Sequence, residues 1–240
     1  MKILALDAAG VTCSASVCVD GKTVASMFIA NGLTHSVNLL PSVQNVLSLA
    51  GLGVSDLDTI ACTVGPGSFT GVKIAVSTVK GLAYAQSIPC FAVSSLEALA
   101  FNFTAYNGII CPVLDARRNM LYNALFKVEN GVVTRLCEDR QIAADELARS
   151  LDELARSLEG QDPIICGDGT QVFMAAAEKL GLNAVAAPDK DRFIRAESVA
   201  LAAINGHGTA CDAMTLASVY LRPPQAERER LEREKSENNG

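Results

Sequence analysis

The chain begins with short apolar runs and then changes period. Lys2 to Asp7 reads as a strand, and Cys13 to Val19 and Thr23 to Ala30 read as two more, with the hairpin turn signal Asp20-Gly21 between the last two. From about Ser36 to Ala50 the apolar positions recur at helical spacing. A strand pattern follows over Thr59 to Val64, a helix over Phe69 to Gln86, a strand over Cys90 to Val93 and a helix from Ser95. A three-stranded meander followed by alternating strand and helix predicts an α/β domain with a mixed sheet.

The second half restarts the pattern. Ile109 to Leu114 and Met120 to Val128 read as strands, and the turn Glu129-Asn130-Gly131 leads into a further strand, Val132 to Cys137. Two modules in series predict two related lobes, residues 1–105 and a smaller, less regular 106–222, with a charged tail at 223–240. One repeat is explicit: Asp145 to Leu151 is followed at once by an identical Asp152 to Leu158. Leu147, Leu151, Leu154 and Leu158 then share one helix face with a drift of only about 20°. A coiled coil needs at least about 3–4 such units, so the repeat reads as a lengthened surface helix. In the tail, Arg228 with Glu232 and Arg230 with Glu234 stand four apart, the spacing of a solvated helix.

The two long helices of the first lobe have unusual surfaces. From Thr23 to Ser55 no residue is charged. In the first helix Leu39, Leu40, Val43, Val46, Leu47 and Ala50 form an apolar face, and Asn38, Ser42, Asn45 and Ser48 lie opposite. An ordinary solvent face carries Lys and Glu, so an uncharged one suits a surface that becomes covered. In the second helix the polar side is narrow (Lys73, Ser77, Lys80, Tyr84), leaving an arc of roughly 220°, about twice what one core requires. Within that arc Gly71, Ala75, Thr78, Gly81 and Ala85 form a ridge of small residues along which another helix could approach. Packing inside the lobe accounts for half of the arc, and docking is the reading of the rest.

Composition narrows the function. Half of the 240 residues are hydrophobic, yet no apolar run reaches the roughly 18 residues of a membrane span. The first carboxylate, Asp7, follows too few apolar residues for a secretory signal, so a cytoplasmic protein is expected. The eight cysteines contain no C-x-x-C pair and read as reduced core residues. A net charge of −6 without a basic stripe predicts weak nucleic-acid binding by the chain alone.

Candidate chemistry is sparse. The loop Gly65-Pro66-Gly67-Ser68-Phe69-Thr70-Gly71 could offer backbone N–H groups to an anion, with Ser68 or Thr70 capping the helix; a tight turn is the competing reading. It lacks the P-loop lysine. Asp7, Thr12 and Ser14 surround the first turn. The two histidines, His35 and His207, form no metal-ligand pair, no His-Glu-x-x-His or Gly-x-Ser-x-Gly occurs, and neither histidine has an evident orienting partner.

The strand from Ala61 to Val64, the glycine loop Gly65 to Gly71, the small-residue helix and the segment Val93 to Asn102, in that order, resemble the tRNA threonylcarbamoyladenosine enzymes over nearly the whole chain. That family carries a metal-binding His-x-x-x-His where this chain has Ser95 and Leu99. It has a Gly-Gly-His-Thr where this chain has Asp115-Ala116-Arg117-Arg118, and its adenosine loop survives as Cys166-Gly167-Asp168-Gly169-Thr170. The match is therefore to the family's non-catalytic branch, TsaB (YeaZ), whose short signature Tyr220-Leu221-Arg222-Pro223 resembles.

The resemblance implies an actin-like (ASKHA), two-lobed α/β fold with mixed sheets and a degenerate second lobe. It implies a scaffold and activating subunit, without catalytic residues, metal or cofactor of its own. The subunit would dimerise with the catalytic TsaD, be joined by the ATPase TsaE and meet tRNA only through the complex. That complex transfers threonylcarbamoyl from threonylcarbamoyl-AMP to N6 of adenosine 37 in tRNAs reading ANN codons. Whether the free subunit forms a homodimer is left open. Partner contacts are expected at Leu39, Val43, Val46, Gly71, Ala75, Thr78, Gly81 and Ala85. Asp7, Thr12, Gly65, Gly67 and Ser68 would line a vestigial nucleotide cleft, with nucleotide at a site shared with partners left open. The alternative is an independent ATP-dependent phosphotransferase of the actin-like group, ahead of a peptidase.

Overall fold

The computed structural model describes residues 1–157 and 162–221. Leu158 of the repeat, Arg222 and Pro223 of the signature and the whole of the charged tail lie outside the described residues.

The first half folds as β1 (Lys2–Asp7), β2 (Cys13–Val19), β3 (Lys22–Ile29), α1 (His35–Ala50), β4 (Thr59–Thr63), α2 (Phe69–Tyr84), β5 (Cys90–Val93) and α3 (Ser95–Ala100). Asp20 and Gly21 both take left-handed backbones, φ 48° and 77°, as a two-residue hairpin turn requires. β1 pairs antiparallel with β2 and parallel with β4, and β4 pairs parallel with β5. The register brings the carboxyl ends of β1, β4 and β5 to one edge, where open α/β sheets place their sites.

The second half contains β6 (Gly108–Asp115), β7 (Met120–Asn123), β8 (Phe126–Glu129), β9 (Val132–Arg135), β10 (Arg140–Ala143), α4 (Ala144–Ser157), β11 (Ile164–Cys166), α5 (Thr170–Lys179), β12 (Val185–Ala186), α6 (Asp189–Arg192), α7 (Ala196–Ile204) and β13 (Thr209–Cys211). The expected single strand from Met120 to Val128 is two. Both pieces keep one register against β6, but Pro112 of β6 has no N–H to give the ladder, and the pairing lapses there. The buried amide of Asn123 substitutes, donating to the carbonyls of Pro112 and Ala124 at 3.0 and 2.9 Å.

The expected division at residue 105 needs correction. The first sheet runs β13-β5-β4-β1-β2-β3, so its edge strand comes from the far end of the chain. α7 also packs on β1 and β2. The chain leaves the first lobe, builds a second sheet in the order β10-β7-β6-β11-β12 with β8 and β9 beside β6, and returns. In α4 the first copy of the repeat buries Leu147 and Leu151 in the second lobe's core, whereas Leu154 of the second copy is only partly buried.

Candidate functional site

Asp7 ends β1 at the floor of the cleft between the lobes and is fully buried. Its Oδ1 accepts from the Thr63 hydroxyl at 2.6 Å and from the Ala9 amide at 3.1 Å, while Oδ2 has no partner. Burial pushes its carboxyl up to about 7, against the pull of those hydrogen bonds, and the charge of Asp168 adds to the rise. Thr12, just before β2, is also buried.

The glycine loop is built as a tight turn. Gly65 has φ 112°, and a Cβ there would lie 2.3 Å from the Val219 carbonyl oxygen; at Gly67, φ 155°, it would lie 2.4 Å from that of Ala9. Backbone bonds tie it down: Ser68 N–H donates to Ala9 O at 2.7 Å, Ser95 N–H donates to Gly65 O at 2.9 Å, and Val219 N–H donates to the preceding Val64 O at 2.7 Å. Ser68 caps α2, its hydroxyl accepting from Gly71 N–H at 3.3 Å. Tyr220, from the C-terminal signature, packs its ring 4.9 Å from that of Phe69. These glycines allow backbone to approach backbone, the tight-turn reading.

From the second lobe, Asp168 reaches into the cleft. Its Oδ1 accepts from Asp115 N–H at 2.9 Å, and Gly10 of the first lobe stands so close that a Cβ there would lie 3.3 Å from Oδ2. Asp115 in turn holds Arg117 through N–H (2.7 Å) and Nη1 (3.3 Å). Arg117, Arg118 and Asn119 all have positive φ, 66°, 55° and 61°, so this loop takes left-handed conformations without glycine.

The positions that the resemblance sets against the family's metal ligands are core. Ser95 and Leu99 are both fully buried, and the Ser95 hydroxyl has no partner. No group of His, Cys, Asp and Glu among the described residues could hold a metal ion. Glu97, between those two, anchors a network that sequence reasoning missed. It accepts from Arg135 of β9 at 3.3 Å and lies 3.0 Å from His207 Nδ1; Arg135 also reaches Asp139 at 2.6 Å, and Ser94 donates to Asp139 at 2.5 Å. These side chains tie the lobes together along one wall of an open crevice of about 600 Å³. Both histidines therefore do have orienting partners, since His35 Nε2 donates to Gly10 O at 2.9 Å.

The helix surfaces divide the expected interface. Leu39, Val43, Val46 and Ala75 are at most 1% exposed, within the first lobe's own core. Gly71 is buried against Ala8, whose carbonyl oxygen would lie 1.9 Å from a Cβ. These five are internal packing positions, because the apolar stripes of α1 and α2 face the sheet. Thr78 is half-buried, and Gly81 and Ala85 are exposed. The outward side adds Val37 (60% exposed), Leu40 (45%) and Tyr84 (68%), which the projection overlooked or assigned to another face. A Cβ on Gly81 would meet nothing within 4 Å.

Two such lobes of mixed sheet and helix, with a glycine turn between strand and helix, are the fold that the resemblance to the threonylcarbamoyladenosine proteins implies. Residues 31–222 match the family described as TsaD: tRNA N6-adenosine threonylcarbamoyltransferase. The tRNA threonylcarbamoyladenosine biosynthesis protein TsaB of Bacillus subtilis is 30% identical over 239 residues, 98% of this chain and 100% of its own. TsaB of Escherichia coli is 36% identical over 135 residues, 55% of this chain and 58% of its own. The solved structure of YeaZ from Pseudomonas aeruginosa superposes with a TM-score of 0.75 at 28% identity, covering 92% of this chain and 99% of that one. The chain belongs to the TsaB (YeaZ) family of tRNA threonylcarbamoyladenosine biosynthesis proteins. Among the described residues no helix is long and apolar enough to cross a membrane.

Proposed function

We propose that the protein is a non-catalytic scaffold and activating subunit that pairs with a TsaD-type enzyme. That enzyme transfers threonylcarbamoyl from threonylcarbamoyl-AMP to N6 of adenosine 37 of tRNAs reading ANN codons. A TsaE-type ATPase is the third component, and tRNA is held through the complex, because a chain of net charge −6 neutralises few phosphates.

The observation that carries the reading is the outward side of α1 and α2. Gly81, Tyr84 and Ala85 of α2 and Val37 and Leu40 of α1 are exposed, Thr78 is half-buried, and α1 carries no charge. A glycine inside a helix costs about 1 kcal/mol relative to alanine, and Gly81 has neither a positive φ nor a neighbour that requires it. Close approach of another protein gives it a reason. The buried Ser95 and Leu99 support the non-catalytic half of the reading.

The test is reconstitution. The protein is co-expressed with an untagged TsaD-type subunit, co-purification is measured, and adenosine 37 modification is assayed with and without it. Stable pairing and modification that depends on the subunit are expected, with background ATPase and peptidase activity for the isolated protein. ATP turnover by the pure protein that disappears in Asp7→Asn would overturn the proposal.

A further inference from the structure

Cys90 of β5 and Cys211 of β13 are direct partners in the antiparallel register at the edge of the first sheet. Residues opposite each other in such a pair point to one face, with Cα atoms about 4.5–5.5 Å apart. A disulfide accepts about 4.4–6.8 Å. Among the described residues no other strand register sets one cysteine against another. Gly208, just before β13, keeps the two strands close, since a Cβ there would lie 2.4 Å from Ala92 O.

The two thiols differ in access. Cys90 is 1% exposed, whereas Cys211 is half-buried and lines the open crevice of about 600 Å³. Burial pushes the Cys90 thiol up to about 11, the charges of Cys211 and Asp212 add to the rise, and Lys80 opposes it. Burial and Asp212 raise Cys211 too, again with Lys80 opposing. Thiolate is therefore scarce, and the pair stays reduced until an oxidant is abundant. Cys62 of the neighbouring β4 is out of step, opposite Ala92, and is fully buried.

The place of the pair in the chain gives it a consequence. β5 is the last strand before the chain leaves the first lobe, and β13 is the strand on which it returns. A bond there closes a loop of about 120 residues around the second lobe, and constraining so long a loop in the unfolded chain is strongly stabilising.

We propose that Cys90 and Cys211 are a reversible modification site, oxidised to a disulfide by a low-molecular-weight disulfide of the glutathione class, which fastens the returning edge strand to the sheet. The Cys211 thiolate, on the crevice side, attacks one sulfur of the small disulfide and expels one thiolate, which takes up the proton that Cys211 lost. The Cys90 thiolate then attacks Cys211 Sγ, closing the protein disulfide and expelling the second small thiol. Two protein thiols are oxidised as one small disulfide is reduced to two thiols. The proposal stands apart from the docking role, because its test uses neither partner nor tRNA.

The folded protein is incubated with millimolar glutathione disulfide, digested in acid without reduction and mapped by mass spectrometry. A linked Cys90–Cys211 peptide is expected, reversed by excess glutathione, together with a melting midpoint raised by about 5–10 °C. Cys211→Ser should show neither effect, and Cys62→Ala should keep both. Free thiols at both positions, glutathione left on Cys211 without the link, or a link to Cys62 overturns the proposal. If either variant does not fold, the wild-type peptide map decides alone, because it names the bonded sulfurs.

Discussion

Thr63 donates its hydroxyl to Asp7 Oδ1 across 2.6 Å, joining the ends of β4 and β1 beneath the cleft. The bond favours the carboxylate, yet burial outweighs it and carries Asp7 from 3.8 to about 7. The folded state therefore holds this proton more tightly than the unfolded chain does. The stability contributed by this group is complete below pH 3.8, falls as pH rises from there to about 7, and is flat above. Asp7→Asn keeps an acceptor for Thr63 and Ala9 and abolishes the titration. The variant should be the more stable protein at pH 8, by up to about 4 kcal/mol, with the advantage shrinking toward pH 4. Urea unfolding of both proteins across this range checks it, and parallel stability curves would contradict the assignment.

Arg135 is the cation on which Glu97 and Asp139 both depend, with side chains 22%, 10% and 17% exposed. Arg135→Met leaves Glu97 with only His207 and Asp139 with only Ser94 beside it, and should cost about 2–4 kcal/mol. Adding Glu97→Gln should restore part of that loss, since it removes one of the stranded charges. A double-mutant cycle in urea measures the coupling. A loss under about 0.5 kcal/mol for Arg135→Met would show that the network is solvated and does not hold the lobes together.

Gly67 separates a tight turn from an anion cradle. Its Cβ in Gly67→Ala would run into Ala9 O, so the variant should lose about 2–3 kcal/mol of stability with no nucleotide in solution. A Gly67→Ala protein that melts like wild type would mean that the loop can move away from Ala9 and that its glycine serves something other than packing.

The first lobe was largely legible because local chemistry and tertiary packing agree there: Asp20-Gly21 makes the turn, and the stripes of α1 and α2 find the sheet. What the chain order concealed is the return of α7 and β13. Three residues, Thr209 to Cys211, carry too little pattern to reveal that they pair with Cys90 to Ala92. The cleft was half legible. Asp7 stands out by its place at the end of β1, but Asp168 reads as part of a decayed glycine loop, since nothing in one sequence says that its carboxylate meets Asp115 N–H. Glu97 escaped for the same reason, its partners Arg135 and His207 lying 38 and 110 residues away. The interface was misassigned at Ala75 because a wide apolar arc does not say which part of it faces the sheet.

Ala75 and Gly81 now make opposite predictions on one helix. Ala75 is fully buried where α2 packs on β4 and β1, so Ala75→Arg forces a guanidinium into the core and should unfold the protein or lower its stability by several kcal/mol. Gly81→Ala places a methyl group in open space and should stabilise the isolated protein by about 1 kcal/mol. Gly81→Arg should likewise leave the fold intact while its long side chain keeps a partner from approaching α2. Thermal melts of the free protein, set beside pull-down of the TsaD-type subunit and adenosine 37 modification, separate the two effects. The docking surface survives only if Gly81→Arg melts at or above the wild-type temperature and pairs poorly. Full pairing by that variant would move the interface off this side of α2, leaving the exposed glycine unexplained.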